Sequence, residues 1–217
     1  MTVLPITTEY IKLQDLMKLA DLVSTGGSSL SAVDALKKAG CDVLGMVALS
    51  GNVGLDVTVN NALLACEYNA RADIPVLAGS AKPLARPARS ASNIHGKSGL
   101  GKSTELYAKG RPLASSGADF ILQMAEKYAG RLEILSLGPL TDVALALQKS
   151  PEAAKKIARV VVMGGGIHAG NATKYAEFNI VADPEAAQVV FSSGVKTVMI
   201  GLDATNCCLQ PRADIEL

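Results

Sequence analysis

Five short runs rich in Val, Ile and Leu recur along the chain, at Val43–Leu49, Ile74–Ala78, Leu132–Leu137, Val160–Met163 and Val195–Leu202. They lack the polar alternation of a half-exposed strand, so they read as strands buried on both faces. Between and around them stand helical patterns at Leu30–Ala39, Val57–Asn69, Phe120–Ala129, Asp142–Gln148 and Pro184–Ser192. Strand and helix in strict alternation imply a mostly parallel sheet with helices on both faces, an α/β fold of Rossmann-like type. The expectation is a single α/β domain over 1–217. In such sheets ligands bind beyond the carboxyl ends of the strands, so the loops that follow strands are the candidate site.

Local signals agree with this order. Asp183 followed by Pro184 marks the start of a helix, an N-cap and a first-turn proline. Asp142 and Lys149 stand at the two ends of another helix, where the helix dipole favours their charges. The first twenty residues suit one amphipathic helix. Residues 80–116, rich in Gly, Pro, Ser, Lys and Arg, break the rhythm as one long loop.

Charge and composition narrow the function classes. Net charge is +1, so no whole-chain electrostatic attraction to nucleic acid or an anionic membrane exists, and no nucleic-acid or membrane partner is expected. No apolar run reaches the ~20 residues of a membrane span and no secretory leader is visible, so the chain reads as soluble and cytoplasmic. Cys41, Cys66, Cys207 and Cys208 form no C-x-x-C pair and indicate neither zinc nor a disulfide framework. Gly96-Lys97-Ser98-Gly99-Leu100-Gly101-Lys102-Ser103 has Walker A spacing, but Arg86, Pro87, Arg89, Ser90 and Ser92 precede it where a P-loop needs an apolar strand.

Several motifs recur in order from about Gly51 to Asp214. They are Gly51-Asn52; Ile74-Pro75-Val76 with Gly79; Asn93-Ile94-His95-Gly96; Leu137-Gly138-Pro139-Leu140-Thr141-Asp142; Met163-Gly164-Gly165-Gly166; Gly170-Asn171; and Ala176-Glu177-Phe178-Asn179 followed by Asp183-Pro184-Glu185-Ala186-Ala187. This series resembles the inosine–uridine-preferring nucleoside hydrolases. The resemblance implies a nucleoside hydrolase-like core, a purine or pyrimidine nucleoside or ribose as partner, a calcium cofactor and assembly into a homo-oligomer. It implies that Asn171, Glu177 and Asn179 hold the hydroxymethyl side of ribose, that Asn52 helps fix the sugar, that His95 closes over it, and that the backbone carbonyl of Leu137 faces the calcium. Breaking an N-glycosidic bond builds positive charge on the ribose, and Asn and Glu side chains offer the donors and acceptors that sugar hydroxyls need. The alternative is local: Asn171 and Asn179 as turn formers, Glu177 as a cap.

The family's Asp-rich opening motif, source of its calcium ligands and general base, has no counterpart here, and the family pattern runs on beyond Leu217. Both argue against turnover by the family's route. In the motif's place, Asp21-Leu22-Val23-Ser24-Thr25-Gly26-Gly27-Ser28-Ser29 resembles the phosphoribosyl pyrophosphate loop of orotate phosphoribosyltransferases. That resemblance implies phosphate binding through Asp21, Thr25, Gly26, Gly27 and Ser28, at a helix N-terminus. The two likenesses divide the domain into an N-terminal helix at 1–20, a phosphoribosyltransferase-like β-α-β unit at 21–50 and a hydrolase-like part at 51–217. They suggest a chimera or designed recombinant. Three functions stand open: a hydrolase-like domain with a ribose-facing pocket, a non-catalytic scaffold, or a phosphoribosyl-binding module.

Overall fold

A computed structural model describes residues 42–68, 70–100 and 106–208. The expected helix at Leu30–Ala39, the helix within 1–20 and the loop Asp21–Ser29 lie outside these residues. In chain order the elements are β1 (Met46–Ala48), α1 (Leu55–Tyr68), β2 (Val76–Ala78), α2 (Ser92–His95), α3 (Gly117–Lys127), β3 (Leu132–Ser136), α4 (Thr141–Lys149), α5 (Ala153–Lys156), β4 (Ile157–Met163), α6 (Phe178–Ala182), α7 (Pro184–Ser192), β5 (Thr197–Ile200) and α8 (Leu202–Thr205), closed by a 3-10 turn at Asn206–Cys208. Every strand pair among the described residues is parallel. β1 pairs with β2, and a separate three-stranded sheet runs β3-β4-β5.

β4 is the centre of the larger sheet. Val160, Val161 and Val162 are consecutive, hence point to alternate faces, and all three are buried. Helices therefore cover both faces of this strand, as its unbroken apolar run foretells. The core against it comes from Ile121 and Ala125 of α3, Val143, Ala144 and Leu147 of α4, and Ala186, Ala187 and Val190 of α7. A smaller cluster of Cys66, Ile74 and Val76, with Val43, Met46, Ala62 and Leu63, underlies β1 and β2.

Strand and helix identities match the sequence reading, with shifts at the ends. The run Val195–Leu202 is a strand only over Thr197–Ile200, because Gly201 ends it and Leu202 opens α8. The run beginning at Val160 starts three residues earlier, at Ile157, since Ile157 and Arg159 continue the pairing with β3 around an unpaired Ala158. Helix α7 spans Pro184–Ser192 as expected, and Asp183 caps it by accepting from the Ala186 N–H. Short helices α5 and α6 carry too few residues for periodicity to reveal.

The described parts of 80–116, residues 80–100 and 106–116, are tethered as a strap. Leu113 N–H donates to the Val76 carbonyl and forms a parallel bridge with Leu77. From α1, Asn61 Nδ2 donates to the Ser98 carbonyl at 2.8 Å. Asn60 spans the Leu106 carbonyl and the Ala108 N–H, and Glu67 Oε1 accepts from the N–H groups of Lys109 and Gly110. Its early part is held by Leu84 N–H on Asp183 Oδ2 and by the Arg86–Glu185 ion pair. The described part of the Walker-like string follows the short helix α2 and no strand, so the context of a phosphate-binding loop is missing there.

Candidate functional site

The loops that leave β3 and β4 meet around one side chain. Asn179, near the start of α6, donates from Nδ2 to the Met163 carbonyl at 3.0 Å and to the Leu137 carbonyl at 3.5 Å. It thereby ties together the ends of two neighbouring strands. Its Oδ1 accepts no hydrogen bond from any described residue. Asn179 is therefore not a turn former; it is a bridge between strands, with one acceptor left over.

Glu177 is 3% exposed and caps α6. Its Oε2 accepts from the Ile180 N–H at 3.1 Å and from the Gly165 N–H at 3.0 Å, so the carboxylate also fixes the glycine turn that follows β4. Its second oxygen, Oε1, takes no hydrogen bond from a described residue. The capping bonds thus use one oxygen and leave the other without a partner among the described residues. Asn171 is exposed and its Oδ1 accepts from the Phe178 N–H at 2.8 Å, which closes the turn Gly170–Ala176 onto α6. This bond closes a turn and leaves the Asn171 amide N–H groups without a partner among the described residues.

Asn52 lies after β1, at the end of the smaller sheet. Its carbonyl accepts from the Ala91 N–H and the Ser90 hydroxyl, so its backbone anchors the strap, while its side chain bonds to no described residue. His95 ends α2, half-buried, its ring likewise without a hydrogen bond to a described residue. The structure thus ties Asn179 to Leu137 and Met163, and Glu177 to Gly165 and Ile180, at the two ends of the same short segment, and sets Asn52 and His95 on the strap side. Asp21, Thr25, Gly26, Gly27 and Ser28 lie outside the described residues.

Two buried carboxylates escape the motif-by-motif reading as a pair. Asp183 is fully buried, with Oδ2 accepting from Leu84 N–H at 2.9 Å and from the Thr141 hydroxyl at 2.7 Å, and Oδ1 from Ala186 N–H at 3.1 Å. Asp142 is 5% exposed, and its Oδ2 accepts from Ser80 N–H at 2.9 Å. Burial pushes its carboxyl above the ordinary value, against the opposing pull of Ser80. In α8, after β5, Asp203 accepts from the N–H groups of Ile167 and His168 and bonds the His168 ring at 2.8 Å. The Ile167 N–H foremost, then His168, lower its pKa to about 2.

A calcium ion needs six to eight oxygen ligands, several of them carboxylate. Among the described residues no three of His, Cys, Asp and Glu come together to hold a metal ion. The carboxylates of Asp142, Asp183 and Glu177 are engaged by backbone N–H groups, and the Leu137 carbonyl meets the Asn179 amide. The described residues alone do not make a calcium site, and no chemical step is derived through one.

Comparison with known proteins fits this architecture. A profile of the family described as inosine-uridine preferring nucleoside hydrolase matches residues 28–216. The chain belongs to that family. The match begins inside the segment that resembles a phosphoribosyltransferase loop and runs without a break past residue 50. It lends no support to a chimera or a designed recombinant. Over 188 residues the chain is 39% identical to the pyrimidine-specific ribonucleoside hydrolase RihA of Salmonella schwarzengrund (strain CVM19633), an alignment that takes in 87% of this chain and 60% of that protein. Among solved structures, the purine-preferring ribonucleoside hydrolase from Gardnerella vaginalis is similar with a TM-score of 0.77 and 30% identity, over 83% of this chain and 58% of that one. A plant nucleoside hydrolase, the PpNRh1 enzyme, has a TM-score of 0.72 and 29% identity over 88% and 57%. The chain spans about 60% of the length of the curated relatives it matches. No helix among the described residues is long and apolar enough to cross a membrane.

Proposed function

We propose that the strand-end loops of this domain bind the ribose of a purine or pyrimidine nucleoside. The observation that carries the reading is the pair of half-used side chains at the ends of β3 and β4. Asn179 spends its amide N–H on two backbone carbonyls and keeps Oδ1; Glu177 spends Oε2 on two backbone N–H groups and keeps Oε1. Each is locked in place by the bonds it makes and offers one acceptor, which is what a rigid site for sugar O–H donors requires. Asn52, with a side chain unbound by the described residues, follows β1 in a loop whose Gly51 would set a Cβ 3.3 Å from Pro139 of the loop after β3, which supports including it in the reading.

In the family to which the chain belongs, the reaction would be hydrolysis of the N-glycosidic bond, water adding across it to give ribose and free base. The relatives' own names point to pyrimidine in one case and purine in another, so the proposal takes the nucleoside class and leaves the base open. The buried carboxylates are engaged by backbone groups, and the proposal is accordingly one of binding first.

Calorimetric titration of the protein with ribose, inosine and uridine, with calcium in the buffer, tests it. We expect saturable binding of the nucleosides that weakens at least tenfold in Asn179→Ala and in Asn52→Ala, with thermal unfolding used to confirm that each variant is folded. No binding at millimolar ligand, or binding that neither substitution changes, would overturn the reading. Release of reducing sugar from the same samples reports turnover separately.

A further inference from the structure

The loop that follows β4 sets out from the pocket's half-used side chains and returns to them. It leaves Met163, whose carbonyl Asn179 holds, passes Gly165, whose N–H Glu177 holds, and ends at Glu177 itself. In between it is folded to one shape. The N–H groups of Asn171, Ala172 and Thr173 donate to the Ala176 carbonyl, and the Thr173 hydroxyl accepts from the N–H groups of Tyr175 and Ala176. A Cβ at Gly170 would lie 2.3 Å from the Ala176 nitrogen, an approach only glycine allows. Yet this fixed loop leaves Ile167 and Tyr175 each 81% exposed, and the His168 side chain 84% exposed.

His168 is exposed without being loose. Asp203 of α8 accepts the Ile167 N–H on Oδ2 at 2.6 Å; its Oδ1 accepts the His168 N–H at 3.1 Å and meets the ring Nδ1 at 2.8 Å. The two backbone bonds already pin the loop to α8, so the ring bond adds one thing only, the orientation of the imidazole. Those donors, the Ile167 N–H foremost, hold the Asp203 carboxyl at a pKa of about 2, so it stays ionised. An ionised carboxylate accepts and cannot donate. The ring hydrogen therefore sits on Nδ1, and Nε2, which bonds to no described residue, is an acceptor on the neutral ring.

We propose that His168 Nε2 contacts the polar edge of the nucleobase, with Asp203 as the residue that positions it. The inference deepens the ribose reading and rests on it. Glu177 and Asn179 offer acceptors to sugar hydroxyls, and what remains of a nucleoside beyond its ribose is a flat apolar body with a polar edge. The loop matches that chemistry, since it carries apolar Ile167 and aromatic Tyr175 exposed and one polar atom held in a set direction. The order of the sheet agrees. Glu177 and Asn179 serve the ends of β3 and β4, and Asp203 follows β5, the next strand, at the carboxyl edge where parallel α/β sheets bind ligands. Hypoxanthine and uracil each present a ring N–H from which Nε2 can accept.

Calorimetric titration with ribose, inosine and uridine in calcium buffer, for the wild type, His168→Asn and His168→Gln, tests the proposal. Asn keeps an N–H donor at the place of Nδ1 and has nothing at the place of Nε2, whereas Gln reaches the place of Nε2. We expect His168→Asn to weaken inosine and uridine about tenfold, the worth of one hydrogen bond, with ribose unchanged, and His168→Gln to recover most of the loss. Nitrogen NMR of the wild-type imidazole should show the Nδ1–H tautomer, with Nε2 shifting on addition of inosine but not of ribose. Nucleoside binding that weakens in Asn179→Ala but not in His168→Asn overturns this proposal alone. So does equal weakening of ribose and nucleosides in His168→Asn, the mark of a loosened loop, or an Nε2–H tautomer. A wild type that binds neither ribose nor nucleoside overturns the pocket reading, and this proposal with it.

Discussion

β4 and β1 are both parallel strands, but they are held by different forces. β4 is seven residues long, has a partner on each side, and buries Val160, Val161 and Val162 under helices on both faces. β1 is three residues long, half-buried throughout, with β2 as its partner among the described residues. Around β4, non-directional burial dominates, at about 25 cal/mol per Å² of apolar surface. Around β1 and β2, the apolar cluster is small, and side chains of α1 reach across to backbone groups of the strap instead. The difference teaches where this family member can change: packed regions resist substitution by volume, tethered regions by lost partners.

That contrast can be broken most forcefully at Asp183, where the two kinds of support join. Asp183→Ala strips the acceptor from Leu84 N–H, Ala186 N–H and the Thr141 hydroxyl at a fully buried position. Denaturant unfolding should show a loss of about 4 kcal/mol, the scale of several buried donors left unpaired. Leu140→Ala, at 1% exposure in the main core, should cost about 3 kcal/mol by the same measurement, through transfer and cavity terms. A loss below about 1 kcal/mol there would mean that the larger sheet is not held by packing. The smallest effect belongs to Asn60→Ala. Removing its two bonds to Leu106 and Ala108 should cost about 1 kcal/mol, and hydrogen exchange should speed up at Ala108 with little change in β4. Equal acceleration in β4 would show that the strap and the large sheet unfold as one unit.

Much of the architecture is legible in the residues themselves. Asp183-Pro184 announces α7, and the Val-rich run announces β4, because caps and buried strands carry local signatures. The Asn and Glu positions in the site are legible as residue types on strand-end loops, yet their roles are not. Glu177 is both a cap and the clasp on Gly165, and only the fold shows that one oxygen does both jobs. The segment 80–116 reads in the sequence only as one long loop, because the bonds of its described parts run to Asn60, Asn61 and Glu67, tens of residues away, and no local pattern encodes such partners.

The sequence by itself determined the α/β alternation and membership of the nucleoside hydrolase family, since periodicity, caps and motif order are properties of neighbours along the chain. The tertiary structure alone decided which side-chain acceptors are left without a partner among the described residues, and that the carboxylate of Asp142 is buried against Ser80. Those outcomes depend on groups remote in sequence, 62 residues apart for Asp142 and Ser80, and burial is a property of the assembled surface rather than of any segment.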